Sequence, residues 1–273
     1  MNGPSELFAG TPYGQFRLLR WEGVTPPVLF LHGLTALADA WTPVVECLGA
    51  DRPECLALDQ RGHGDSFAPP TGYAIGDFVG DVRAVLAALR IDRPHLVGHS
   101  MGARVALVAA ARHPELFRTV TVVDIGPERW TKNWTETVAA IDRMPERFSR
   151  DEAVAFLTRN RPTPPDRLKL LLSRVGEAED GTFRWRGSPE AWKQAVRSHR
   201  SRDFWADWGG LSIPALLIRG GASAELRGPV GDEMRRRNPS VGYEEYEGVG
   251  HNIPLLAPER LAASLSRFWR TQR

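Results

Sequence analysis

The chain has 273 residues, 42% of them hydrophobic and 25% charged, with 35 Lys and Arg against 33 Asp and Glu and a formal charge of +2. That size suits one α/β core domain with room for an insertion, and the near-average composition excludes disordered and collagen-like classes. The scattered basic residues leave no electrostatic footprint for nucleic acid; the run Arg235, Arg236, Arg237 falls at the end of a predicted helix, where cations complement the dipole. No apolar run approaches the ~18 residues of a membrane span, and the first ten residues lack the basic start and apolar stretch of a signal peptide, so the expectation is a cytoplasmic protein with no membrane partner. Cys47 and Cys55 are too few for a disulfide framework and read as free core thiols.

The chain opens as a hairpin, Leu7 to Ala9, a turn at Pro12 to Gly14, then Gln15 to Trp21, at a sheet edge. After Pro26-Pro27 the unbroken apolar run Val28 to Leu31 has the character of a strand covered on both faces, and Cys55 to Leu58 is the next. A short helix is expected from Pro43 to Leu48, capped by Thr42. From Ile75 to Leu89 the apolar residues fall on one helical stripe. His95 to Val97, the Ala-rich stretch Met101 to Arg112 and Thr119 to Val123 continue as strand, helix, strand, and this alternation predicts a mostly parallel sheet flanked by helices. Residues 126–210 differ: no strand-like run is visible, prolines interrupt the helical segments, and Trp130, Trp134, Trp185, Trp192, Trp205 and Trp208 all fall here. This stretch reads as a helical cap inserted into a core made of residues 1–125 and 211–273. Strands resume at Ala215 to Ile218 and Tyr243 to Tyr246, and a helix from Pro258 to about Trp269 closes the chain.

The segment His95-Leu96-Val97-Gly98-His99-Ser100-Met101-Gly102 places G-x-S-x-G on a predicted strand-to-helix turn, the context of a nucleophile elbow. A serine hydroxyl needs a base within hydrogen-bond reach. His251, in the glycine-flanked loop after the last strand, is the candidate; His63, His95, His113 and His199 have blander readings, and His99 is expected to point into the core. Acyl transfer also needs preorganised N–H donors for the oxyanion. In an elbow architecture these are the residue after the nucleophile and one in the loop after an earlier strand, here Met101 and, in His32-Gly33-Leu34-Thr35, Leu34.

Together His32-Gly33, the segment Asp59 to Ser66, the Ser100 elbow and Gly250-His251 make the chain resemble a capped α/β-hydrolase, with the motifs in that family's order from one end of the chain to the other. The resemblance implies an α/β-hydrolase fold and a serine hydrolase, with Asp59 to Ser66 a structural loop. Family members often carry the triad acid just after the strand that here is Ala215 to Ile218, yet Ser223 and Ala224 stand there. Asp124, at the end of the preceding core strand, is the favoured acid, with Glu225 the alternative and capping of the insertion's first turn the structural reading of Asp124. The expected activity is hydrolysis of a carboxylic ester with an apolar acyl or aryl part, an amidase or C–C bond hydrolase being the alternative and a non-enzymatic receptor on the same fold a third. Trp130, Trp134 and Trp185 are expected to line the substrate pocket. The insertion's charge excess is too small to assert a carboxylate-bearing substrate, and no metal or organic cofactor is implied. Ser100 in place of an elbow aspartate disfavours dehalogenase and epoxide-hydrolase chemistry.

Overall fold

The computed structural model describes residues 3–129, 134–159, 163–199 and 201–272. Its strands, in chain order, are β1 Ser5–Gly10, β2 Gln15–Trp21, β3 Val24–Leu31, β4 Pro53–Leu58, β5 His95–His99, β6 Thr119–Val123, β7 Val175–Glu177, β8 Phe183–Trp185, β9 Ala215–Gly220 and β10 Gly242–Tyr246. Eight of them form one sheet in the order β1-β2-β4-β3-β5-β6-β9-β10. The opening hairpin pairs antiparallel at the edge and joins through β2 to β4; every pair from β4 across to β10 is parallel. This is the mostly parallel sheet that the strand and helix alternation predicts, in the arrangement that the α/β-hydrolase resemblance implies.

Burial on both faces explains the unbroken apolar runs. Leu29, Leu31, Leu96, Val120 and Val122 pack on one side with the helices Ile75–Leu89 and Met101–Arg112. Val28, Phe30, Val97 and Val123 pack on the other with Thr42–Cys47 and Pro258–Arg270. The strand order reverses at β3, which lies between β4 and β5. At such a point the loops leaving the carboxyl ends of neighbouring strands diverge and open a crevice, and those loops are His32 to Ala36 after β3 and Ser100 after β5.

Several local expectations are corrected. Thr42 is the first helical residue, with Trp41 at the cap and no side-chain capping bond. Cys47 is an exposed thiol, while Cys55 is buried. The inserted stretch carries helices Trp134–Asp142, Arg150–Thr158, Pro165–Leu172, Pro189–His199 and Trp205–Gly209, but also the antiparallel pair β7 and β8. Strands of three residues are too short to show alternation; the hairpin signal that was present is Asp180-Gly181, with Gly181 at φ +76 and Ala178 N–H bonded to Thr182 O at 2.7 Å.

The insertion has its own small core, including Val138, Ile141, Phe148, Trp185, Trp192 and Val196. It is fastened to the sheet domain at several places, of which two bear on the site's frame. At the first, Gly62 O accepts from Ser188 N and from the Trp192 indole at 2.9 and 3.1 Å, and Gly64 N–H bonds Arg186 O at 3.2 Å. At the second, the buried Arg104 donates to His199 O at 2.8 Å and to Gly126 O at 2.9 Å. Among the described residues no helix is long and apolar enough to cross a membrane.

His95, at the amino end of β5, sits with Nδ1 2.9 Å from Thr119 Oγ1 and its ring stacked on Trp269. Burial, with Arg118 adding to it, pushes the imidazole down to about 4. Unfolding therefore takes up a proton below the ordinary histidine value of about 6.5, so this histidine costs stability as pH falls from that value towards its folded one. Chemical denaturation between pH 6.5 and 5 is expected to show a steeper loss in the native protein than in His95→Gln, by up to about 1.4 kcal/mol per pH unit. Equal slopes in the two proteins exclude the linkage.

Candidate active site

β5 ends at His99 and a helix starts at Met101, so the chain turns on the single residue Ser100, at φ +54 and ψ −119. Such a backbone is strained for any residue with a side chain, at a cost of roughly 1–3 kcal/mol, and persists only where its surroundings enforce it. They do so here through close packing: a Cβ on Gly98 would lie 2.3 Å from Gly102 O, and one on Gly102 would lie 2.4 Å from Leu31 O. The Ser100 N–H is bonded to Val123 O at 3.0 Å. The turn thus presents the hydroxyl outward at the crevice between the β3 and β5 loops.

His251 Nε2 lies 2.9 Å from Ser100 Oγ, and His251 Nδ1 lies 2.7 Å from Asp124 Oδ2. Asp124 directly follows β6, is fully buried, and stands at φ +55 with its N–H on Ile218 O. Its Oδ1 accepts from Gly220 N at 2.8 Å, and its Oδ2 also accepts from the hydroxyl of Ser223. The structure therefore brings Asp124, and not Glu225, to His251. Ser223 stands where relatives often have the acid, and it is joined to this chain of bonds: it donates to Asp124 and accepts from Glu225 N at 3.1 Å. From the sequence it reads only as a gap.

His99 also departs from a purely core reading. Its Nε2 donates to His251 O at 2.9 Å, and the two rings lie 4.8 Å apart. Burial first, and His251 second, push His99 down to about 3, so it stays a neutral prop for the loop that carries His251. The only sequence signal was its place beside Ser100. His32 is likewise buried and held well below the ordinary histidine range, chiefly by burial. Its ring Nδ1 lies 2.8 Å from Gly33 O and its Nε2 accepts from Gln60 N at 3.0 Å, which braces the loop after β3.

Leu34 and Met101 both line the cavity beside Ser100, of about 30 Å³, together with Arg104, Ile125, Ala195, Val196 and His199. Met101 opens its helix, where the N–H has no intrahelical acceptor and the dipole favours negative charge. Trp185 is placed elsewhere: it packs against Phe148, Phe156 and Trp192 within the insertion, its indole bonded to Pro145 O at 2.9 Å. It fills that core and does not line the cavity. Trp130 and the side chain of Trp134 lie outside the described residues. Wider surface clefts, of about 520 and 780 Å³, gather around Thr25, Pro26 and Arg118 at the amino ends of the strands and share no residue with the Ser100 cavity. Among the described residues no three His, Cys, Asp or Glu side chains are grouped to hold a metal ion.

Residues 26–258 match the family described as alpha/beta hydrolase fold. The chain is 30% identical over 252 residues to 2-(acetamidomethylene)succinate hydrolase of Mesorhizobium japonicum, spanning 92% of this chain and 90% of that one. It is 29% identical over 274 residues to an esterase of Mycobacterium tuberculosis, spanning 96% and 88%. The crystal structure of E-2-(acetamidomethylene)succinate hydrolase superimposes with a TM-score of 0.90 at 27% identity, over 98% of this chain and 99% of that one.

Proposed function

The chain belongs to the α/β hydrolase fold family, and from that premise we propose that this hydrolase is a serine esterase acting through an acyl-enzyme on Ser100. The observation that carries the reading is the unbroken line of bonds from Ser100 Oγ through His251 to Asp124. Asp124 accepts from Nδ1–H, which leaves Nε2 as the lone-pair nitrogen facing the hydroxyl. Ser100 attacks the ester carbonyl as His251 takes its proton. The N–H groups of Leu34 and Met101 receive the developing oxyanion, and the imidazolium, steadied by the buried Asp124 carboxylate, returns the proton to the departing alcohol. Water activated by the same His251 then releases the acid.

The inserted residues 126–210 serve as the cap of this site, for Ala195, Val196 and His199 of the insertion close the cavity beside Ser100. The cavity beside Ser100 is narrow. The apolar acyl part is thus small, and the expected substrates are short-chain esters. A second reading, amide hydrolysis, is favoured by the relative named for 2-(acetamidomethylene)succinate, a substrate that carries an acetamido group. The two unpaired thiols suit a reducing cytoplasm.

Stoichiometric labelling of Ser100 by a fluorophosphonate, mapped by mass spectrometry, tests the nucleophile. No labelling of folded protein refutes it. A nitrophenyl ester series is expected to peak at acetyl or propionyl, and a peak at octanoyl contradicts the small cavity. Ser223→Ala should lower turnover by about 10- to 100-fold, the equivalent of one hydrogen bond to a charged group. Native turnover in that variant assigns Ser223 to packing alone.

A further inference from the structure

Resting on the reading of Leu34 N–H as an oxyanion donor, we propose that Arg174 of the inserted segment is a positioning residue: its guanidinium forks onto Thr35 and holds the turn that aims that donor at Ser100. The turn runs from Gly33 to Ala36 and is closed by Ala36 N–H on Gly33 O at 3.1 Å. Leu34 and Thr35 are its central residues, and Thr35 stands at φ +61. The third position of such a turn calls for positive φ and is the usual place of glycine. A β-branched threonine resists that conformation, so the turn does not hold itself and needs anchors outside.

On the strand side the anchor is the core, through His32 and Gln60. On the far side it is Arg174, which donates from Nε to Thr35 O at 2.8 Å and from Nη2 to Thr35 Oγ1 at 2.6 Å. The planar fork matches two acceptors at fixed spacing, which a lysine does not. Burial lowers this guanidinium to about 10, and among the described residues no carboxylate pairs with it. It lies 6.0 Å over the Trp185 ring. A half-buried cation whose donors go to two neutral oxygens of a single residue is a costly way to fill space and an effective way to fix one.

Arg174 is itself tied down, since its carbonyl accepts from Arg186 N at 2.8 Å and Arg186 O accepts from Gly64 N at 3.2 Å. A continuous line of bonds thus runs from the loop after β4, through the insertion, to the oxyanion turn. Through Arg174 the insertion contributes to the chemical step by a residue that does not itself touch the substrate.

The test uses the full chain as Arg174→Met and Arg174→Lys. By hydrogen exchange, the Ala36 amide of Arg174→Met is expected to exchange at least about tenfold faster than in the native protein, because the turn opens locally. On p-nitrophenyl acetate, kcat is expected to fall about 10- to 100-fold, somewhat less than the loss of a whole oxyanion donor, with KM within about threefold. Added guanidinium ion should restore part of the lost kcat in Arg174→Met and none in the native enzyme. Arg174→Lys, which keeps the charge but has a single donor nitrogen, should give intermediate values, and it carries the same tests if Arg174→Met does not fold. An unchanged Ala36 exchange rate, an unchanged kcat, or a loss confined to KM overturns the proposal. The exchange measurement judges the turn even where no ester is hydrolysed, so a failure of the esterase reading is told apart from a failure of this one.

Discussion

Ser100→Ala is expected to lower ester turnover by roughly a millionfold, the scale on which a serine protease loses rate when its nucleophile is removed. The hydroxyl stands 2.9 Å from His251 Nε2, so its loss removes the attacking atom and leaves the base with nothing to activate. The backbone at position 100 is held by Gly98, Gly102 and the bond to Val123 O, none of which involves the side chain. Melting temperature should therefore be kept, and a folded but inactive protein is the predicted outcome. His251→Ala should be nearly as severe at neutral pH. Turnover close to native in a well-folded Ser100→Ala would end the assignment.

Asp124→Asn is the second large effect, expected at about ten-thousandfold in turnover, as loss of the triad aspartate does in a serine protease. The amide keeps the shape but removes the charge that steadies the imidazolium, and its NH₂ faces Nδ1 and favours the wrong tautomer. Gly220 N–H and the Ser223 hydroxyl both donate to this carboxylate, so an amide nitrogen on either side also loses an acceptor. Glu225→Gln should stay within a few-fold of native, as its carboxylate has no part in the bonds that reach His251. Both variants are to be compared on one activated ester with circular dichroism as the folding control. A crippled Glu225→Gln beside a healthy Asp124→Asn would transfer the role, and two healthy variants would mean that Ser100 and His251 work as a dyad.

What the sequence made legible follows from how local the signals are. The apolar runs of β3, β5 and β6 and the stripe from Ile75 to Leu89 record two-sided and one-sided burial directly. The elbow at Ser100 is spelled by glycines that the backbone needs at contact distance. The role of Ser223 was hidden because its partner Asp124 follows another strand and only the pairing of β6 with β9 brings the two together. His99 was hidden in the same way, since its acceptor is a main-chain carbonyl on a distant loop. The reading of Trp185 as pocket lining failed for a different reason: an aromatic side chain carries no mark of whether it faces a substrate or the interior of its own helical layer, and here Phe148, Phe156 and Trp192 claim it.

The guanidinium of Arg104 binds the carbonyls of Gly126 and His199 together, so the start of the insertion and the end of its helix Pro189–His199 are held side by side. A loop with its ends already pinned is almost indifferent to its own length, each doubling adding only about 0.6 kcal/mol of closure entropy. Descent and the protein engineer can therefore treat the stretch between those carbonyls as an exchangeable cassette, grown, trimmed or transplanted from a relative, while the elbow beneath it is inherited unchanged. New substrate preferences on this scaffold can then arise by insertion and deletion as readily as by point substitution, provided Arg104 at the seam and Arg174 on the Thr35 turn are left in place.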